Sequence, residues 1–187
     1  MVTYCIGSAR AKREYFADVG AVVLDNVEVL FCASENGKNY FAYGDVPFGS
    51  FTVEEYLTYR RALCSEPFSE KSLLPFKIQA TKRIKKLVPA ELRCVMFLEK
   101  TNGHTDKPVV INLDGVKYTR KNNAALKRLI SAAGDAYVCV SDARFVVNAD
   151  KGYKTLVFGK TNGGVRPKFY AAKRLAKRIG ARRASVM

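Results

Sequence analysis

Asp135, Asp142, Asp150 and Lys154 have the residue types and spacing that could carry phosphodiester chemistry. Metal-dependent nucleases use two or three acids to hold Mg²⁺, with a lysine beside them to help activate water. The same acids fall at expected strand ends and turns, where a carboxylate also serves to cap a helix or solvate a loop. His104 is the only histidine, in the polar stretch Thr101-Asn-Gly-His-Thr-Asp106. A nucleophile–base pair needs a base oriented by a third group, and nothing local nominates one. The five cysteines, Cys5, Cys32, Cys64, Cys94 and Cys139, include no Cys-x-x-Cys pair. They read as reduced thiols, several on apolar strands, and not as zinc ligands. No catalytic residue, metal site or cofactor is nominated.

Phosphate-binding loops leave two partial signals. Cys32-Ala-Ser-Glu-Asn-Gly37-Lys38-Asn39 resembles part of a Walker A motif. It lacks the first glycine and the Ser or Thr that would hold magnesium, and Asn36-Gly37 is explained by a hairpin turn. Val95-Met-Phe-Leu98-Glu99-Lys100-Thr-Asn-Gly103 resembles the apolar strand of ABC-type ATPases that ends in Asp-Glu, with Asp106 standing for a downstream aspartate. Lys100 occupies the place of the catalytic glutamate, no glycine-rich signature segment precedes it, and an Asp-Gly hairpin follows where a helix is expected. The resemblance implies a catalytically inactive relative.

Charge is the stronger signal. The chain has 32 basic and 17 acidic residues, a net charge of +15. Residues 151–187 hold eleven of the basic residues and none of the acids. Such segregation predicts a polyanionic partner. Pro167 can open a helix running to Ile179, with Gly180 beyond its end. Phe169, Ala172, Leu175, Ala176 and Ile179 then form an apolar stripe, leaving Lys173, Arg174, Lys177 and Arg178 in solvent and Lys168, Arg182 and Arg183 at the ends. Tyr170 would add stacking on a base. Lys121, Lys127 and Arg128 ring a second helix, with Arg120 beside them, and Lys82, Arg83, Lys85 and Lys86 form a further cluster. The expectation is a non-enzymatic protein binding the phosphate backbone of DNA or RNA, such as a structural subunit of a nucleoprotein or virion assembly. A nuclease using the strand-end carboxylates and an assembly module gripping an acidic protein partner are the alternatives.

The elements that must position these residues are read from turns and periodicity. Asn36-Gly37 and Asp114-Gly115 predict β-hairpins, the first joining residues 27–32 to Lys38–Tyr43 and the second Val109–Leu113 to Val116–Thr119. A third hairpin is expected between Ala143–Val147 and Tyr153–Phe158. Thr52-Val-Glu-Glu55 is a capping box opening a helix over 53–63. Helices are also expected over 77–87 and 122–133, the latter closed by Gly134. Lys-Thr-Asn-Gly recurs at 100–103 and 160–163, each copy read as following a strand end. The fold class expected is therefore α+β: antiparallel hairpins packed against three to five helices, with a basic amphipathic C-terminal helix. Residues 1–150 would form the body and 151–187 the final strand and basic helix. No secretory signal or apolar run long enough to span a bilayer is read, which predicts a soluble intracellular protein in a reducing compartment.

Overall fold

A computed structural model describes residues 1–17, 20–24, 33–35, 38–40, 49–63, 66–150, 152–158 and 168–170. Among them lie eight strands: β1 (Val2–Gly7), β2 (Val22–Leu24), β3 (Ala33–Glu35), β4 (Lys38–Tyr40), β5 (Val109–Leu113), β6 (Ala136–Val140), β7 (Lys154–Phe158) and β8 (Lys168–Tyr170). The helices are α1 (Ala9–Ala17), α2 (Val53–Ala62), α3 (Pro89–Thr101), α4 (Arg120–Ala133) and the short α5 (Arg144–Val147). The chain divides into two compact units.

The first unit, Met1–Val23, Lys107–Thr119 and Gly134–Met187, holds most of a six-stranded sheet in the order β2-β5-β6-β1-β7-β8. β5, β6, β1 and β7 run parallel, with Ile111 opposite Val138, Cys5 opposite Cys139, and Cys5 opposite Leu156 across successive pairs. β8 is antiparallel to β7. All five residues of β5 are buried. A strand covered on both faces has no reason to alternate apolar with polar residues, which is why Val-Val-Ile-Asn-Leu reads as one continuous run. Cys5, Ala11, Phe16, Val110, Cys139, Leu156 and Phe158 form a buried cluster that fixes α1 on the sheet.

This architecture is α/β, which corrects the expectation of antiparallel hairpins. Val109–Leu113 has no hairpin partner at 116–119: Val116 N–H donates to the Leu113 carbonyl, and the chain enters α4 at Arg120. Asp114-Gly115 is a strand-to-helix turn, and Gly115 takes the positive φ (+79°) that a hairpin would also have used. The third expected hairpin fails in the same way. Residues 144–147 are α5, and β7 pairs in parallel with β1. Of the three expected hairpins, the one at Asn36-Gly37 shows an antiparallel pair, between β3 and β4 with Glu35 opposite Lys38, whereas the expected first strand over 27–32 lies outside the described residues.

The second unit, Leu24–Asp106 and Arg120–Ala133, is mainly helical in its described residues. Its capping box forms as expected: Glu55 N–H donates to the Thr52 hydroxyl (3.2 Å) and Thr52 N–H to the Glu55 carboxylate (2.7 Å). α4 covers the expected 122–133 stretch, and Gly134 follows it with φ +70°. Leu126 and Leu129 of α4 are buried, as are Phe76 and Phe97, whose rings meet edge-on at 6.2 Å.

The helix expected over 77–87 is absent. The Ala80 and Lys82 carbonyls accept the Glu54 and Val53 amides, and Ile84 N–H donates to the Phe51 carbonyl. That backbone is spent on the start of α2, leaving only a 3₁₀ turn at Ile84–Lys86. The Lys-Thr-Asn-Gly echo is not structural either, since Phe97–Thr101 is helical whereas Phe158 ends a strand.

Candidate functional site at the carboxyl ends of the strands

The chain leaves β1 through α1 towards β2, at one edge of the sheet, whereas it leaves β6 through α5 for β7 on the other side of β1. Neighbouring loops that depart in opposite directions open a crevice at the carboxyl ends of the strands, where α/β sheets bind ligands. Three segments meet at this edge: the β1–α1 link, the residues after β5, and those after β6.

The first segment is unusually tight. Gly7 has φ +108°, and a Cβ there would lie 2.0 Å from the Phe158 carbonyl oxygen, so no other residue fits. Ser8 N–H donates to that oxygen (3.2 Å). The Ser8 hydroxyl then accepts the Ala11 amide (3.4 Å) and its carbonyl the Lys12 amide (3.1 Å), starting α1 at once. The early start places Lys12 in the helix's first turns. Its side chain is 2% exposed, and Nζ donates to Asp114 Oδ1 at 2.5 Å and to the Val140 carbonyl at 3.3 Å.

Asp114 is held from its own strand and from the next. Its N–H donates to the Asn112 side chain (2.9 Å), and Gly115 N–H donates to the Ser141 hydroxyl (2.9 Å). Asp142 accepts the Tyr118 amide (2.9 Å) and binds Arg144 at 2.6–3.1 Å. The hydrogen bonds of Arg144, followed by those of the Tyr118 and Arg144 amides, hold the Asp142 carboxyl well below the usual carboxylate range despite some desolvation. Arg144 in turn lies 5.6 Å from the centre of the Tyr118 ring.

A lysine ammonium has three N–H donors and no acceptor. Among the described residues Lys12 uses two of them, on Asp114 and Val140. A cation kept out of water with one donor in hand is a prepared contact for an anion.

Two of the carboxylates of the nuclease alternative, Asp135 and Asp142, are not brought together. Asp135 precedes β6 and Asp142 follows it, so about 16 Å of strand separates them. Asp135 is bound instead to the N-terminal amino group. No group of three His, Cys, Asp or Glu able to hold a metal occurs among the described residues. His104 and Asp106 are both exposed and 3.6 Å apart.

The basic tail is also rearranged where it is described. Lys168 and Tyr170 belong to strand β8, so the stripe expected from Phe169 onward does not begin as a helix. Lys173, Arg174, Lys177, Arg178, Arg182 and Arg183 lie outside the described residues. On α4, Lys121 is exposed, whereas Arg128 donates to the Phe76 carbonyl (3.1 Å). Lys82, of the 82–86 cluster, is paired with Glu91. The Walker-like Lys38 lies on β4, and Val95–Leu98, matched to an ATPase strand, lies in α3. Neither belongs to the strand-end site.

Reasoning from sequence missed Gly7, Ser8, Lys12 and Asp114. Two signals point to them: an apolar run ending in Gly-Ser with a lysine five positions after the glycine, and a continuous apolar run ending in aspartate.

Neither a known protein family nor any curated protein sequence matches the chain. Its fold is similar to that in a crystal structure of a nucleotide-free ATP-binding cassette from an ABC transporter, with a TM-score of 0.54 and 12% sequence identity. The match covers 94% of this chain and 83% of the other. At that identity the likeness is one of fold. The solved structure is an ATP-binding cassette, so the comparison contradicts the expectation of a nucleic-acid-binding structural protein and gives it no support. No described helix is long and apolar enough to cross a membrane.

Proposed function

We propose that the chain is a nucleotide-cassette-like domain that binds the phosphate end of a nucleotide at the carboxyl edge of its parallel sheet, with Lys12 as the phosphate-contacting cation. The observation that carries this reading is the buried Lys12 ammonium, which has two acceptors among the described residues for three donors. Its place supports the reading too, since Lys12 follows the strand at which the chain's direction switches. The neighbouring fold is that of an ATP-binding cassette, which makes a nucleoside triphosphate the first ligand to try.

Binding without turnover fits the side chains at this edge. Asp114 is committed to Lys12 and Asp142 to Arg144, so neither carboxylate stands ready to activate a water. Calorimetric titration with ATP, GTP and pyrophosphate tests the proposal. Saturable binding that disappears in Lys12→Ala is expected. Wild-type protein that binds none of the three at millimolar concentration would refute it.

A further inference from the structure

A phosphate approaching Lys12 meets a charge of its own sign. Asp114, with 13% of its side chain exposed against 2% for Lys12, is the part of the pair that reaches solvent. The ligand therefore arrives on the carboxylate's side. Lys12 and Asp114 together carry no net charge, so an incoming anion must share the ammonium with a carboxylate already bound at 2.5 Å.

In phosphate-binding loops that work with magnesium, the lysine is followed by a Ser or Thr whose hydroxyl holds the metal, and a strand-end acid assists. Here the residue after Lys12 is Arg13, which is exposed and cationic. The motif's second glycine is Ala11, and the interval from Gly7 to Lys12 is one residue shorter than the motif's. The strand-end acid is occupied by the lysine, and the next acid at this edge, Asp142, is occupied by Arg144. This donor set does not fit magnesium: a cation replaces the metal-binding hydroxyl, and each carboxylate already has a counter-ion.

We infer that the Lys12 site takes a phosphate group free of metal, and that Asp114 competes with this ligand for Lys12 instead of holding a metal. The inference rests on the phosphate-binding reading above. Removing the Asp114 charge, as in Asp114→Asn, leaves Lys12 an amide oxygen as acceptor but a net positive charge in a dry setting, where an anion gains most.

The test is titration of wild type, Asp114→Asn and Lys12→Ala with pyrophosphate and with ATP, once in EDTA and once with excess Mg²⁺. Wild type is expected to bind no more tightly with Mg²⁺ than without it. D114N is expected to bind at least about tenfold more tightly than wild type, reflecting the removed like charge. Lys12→Ala should bind neither ligand.

A wild-type affinity raised about tenfold by Mg²⁺, or weaker binding in D114N, would overturn the inference while leaving the phosphate-binding reading intact. Failure of both wild type and D114N to bind in either buffer would reject the two together. Because D114N leaves a buried lysine without its counter-charge, thermal melting accompanies the titration. Ligand should raise the melting temperature of D114N more than that of wild type. If D114N does not fold, the wild-type comparison with and without Mg²⁺ decides alone.

Discussion

Each unit buries an ionic cluster among its described residues, and the two are built to different ends. In the helical unit, the Glu99 carboxylate accepts the Tyr56 hydroxyl (2.7 Å) and the Arg60 guanidinium (2.6 Å), while the Glu99 carbonyl accepts Arg61 (3.0 Å). All three partners lie on α2, so the cluster ties α2 to α3. Burial and the neighbouring carboxylate push the Tyr56 phenol far above its ordinary value, keeping it a neutral donor. In the sheet unit, Lys12 has one carboxylate and one carbonyl, both at strand ends, where backbone hydrogen bonding between strands stops. The first cluster converges several donors on one acid and holds two helices together. The second, among the described residues, has two acceptors for three donors at the edge where α/β sheets meet ligands, whereas the spare donor of the first, Arg61 Nε, lies between helices. Neither buried charge nor an unused donor alone marks a site; their place at the strand ends does.

The largest effect should come from breaking the second cluster. Lys12→Ala leaves Asp114 without its ammonium partner, and removing one member of a buried pair costs about 3–5 kcal/mol. Urea denaturation should register that loss, together with loss of phosphate binding. Gly7→Ala comes next. Its Cβ would collide with the Phe158 carbonyl at a φ that L-residues rarely adopt. A destabilisation of about 2–4 kcal/mol is expected from strain and overpacking together, and a variant as stable as wild type would show that the β1–α1 link is not fixed as described.

Glu99→Gln is the counterpart in the helical unit. It keeps an acceptor for Tyr56 but removes the charge facing Arg60, which is one-third exposed. A cost of roughly 1–3 kcal/mol is expected, with phosphate affinity unchanged. If Glu99→Gln weakened binding as Lys12→Ala does, the division of labour between the clusters would fall.

The same contrast explains what could be read from the sequence. Thr52-Val-Glu-Glu55 and Gly134 were legible because a cap is a local arrangement: its donors and acceptors lie within four residues of one another. At Asn36-Gly37 the turn was legible and its first strand was not: β3 is Ala33–Glu35, within the stretch read as the connection. Asp114-Gly115 misled because the glycine supplies a positive φ to any tight turn, whether or not a second strand follows. What separates the outcomes is the strand's partner: Val109–Leu113 pairs in parallel with β6, which lies beyond α4, and not with the residues that follow Asp114-Gly115. The expected helix over 77–87 failed for a similar reason, since its backbone is used by α2. Lys12 and Asp114 are 102 residues apart, and only the parallel order of the strands brings them together. Their pairing follows from topology, not from any local motif.

The smallest effect concerns Asp142, whose folded pKa is depressed, mainly by Arg144. A depressed carboxylate contributes stability that is complete above its unfolded pKa of about 4 and is lost as pH falls towards its folded value. Arg144 is half-exposed, so solvent screens part of that contribution. Asp142→Asn should therefore remove a modest part of the acid sensitivity below about pH 4 and leave the pH 7 melting curve only slightly lowered. Phosphate affinity at pH 7 should change far less than in D114N, because Asp142 reaches the site through the Tyr118 amide and not through Lys12. Stability curves at pH 3, 4 and 7 for the two asparagine variants separate these roles. If D142N changed phosphate affinity as much as D114N does, competition for Lys12 would not be what distinguishes the two acids.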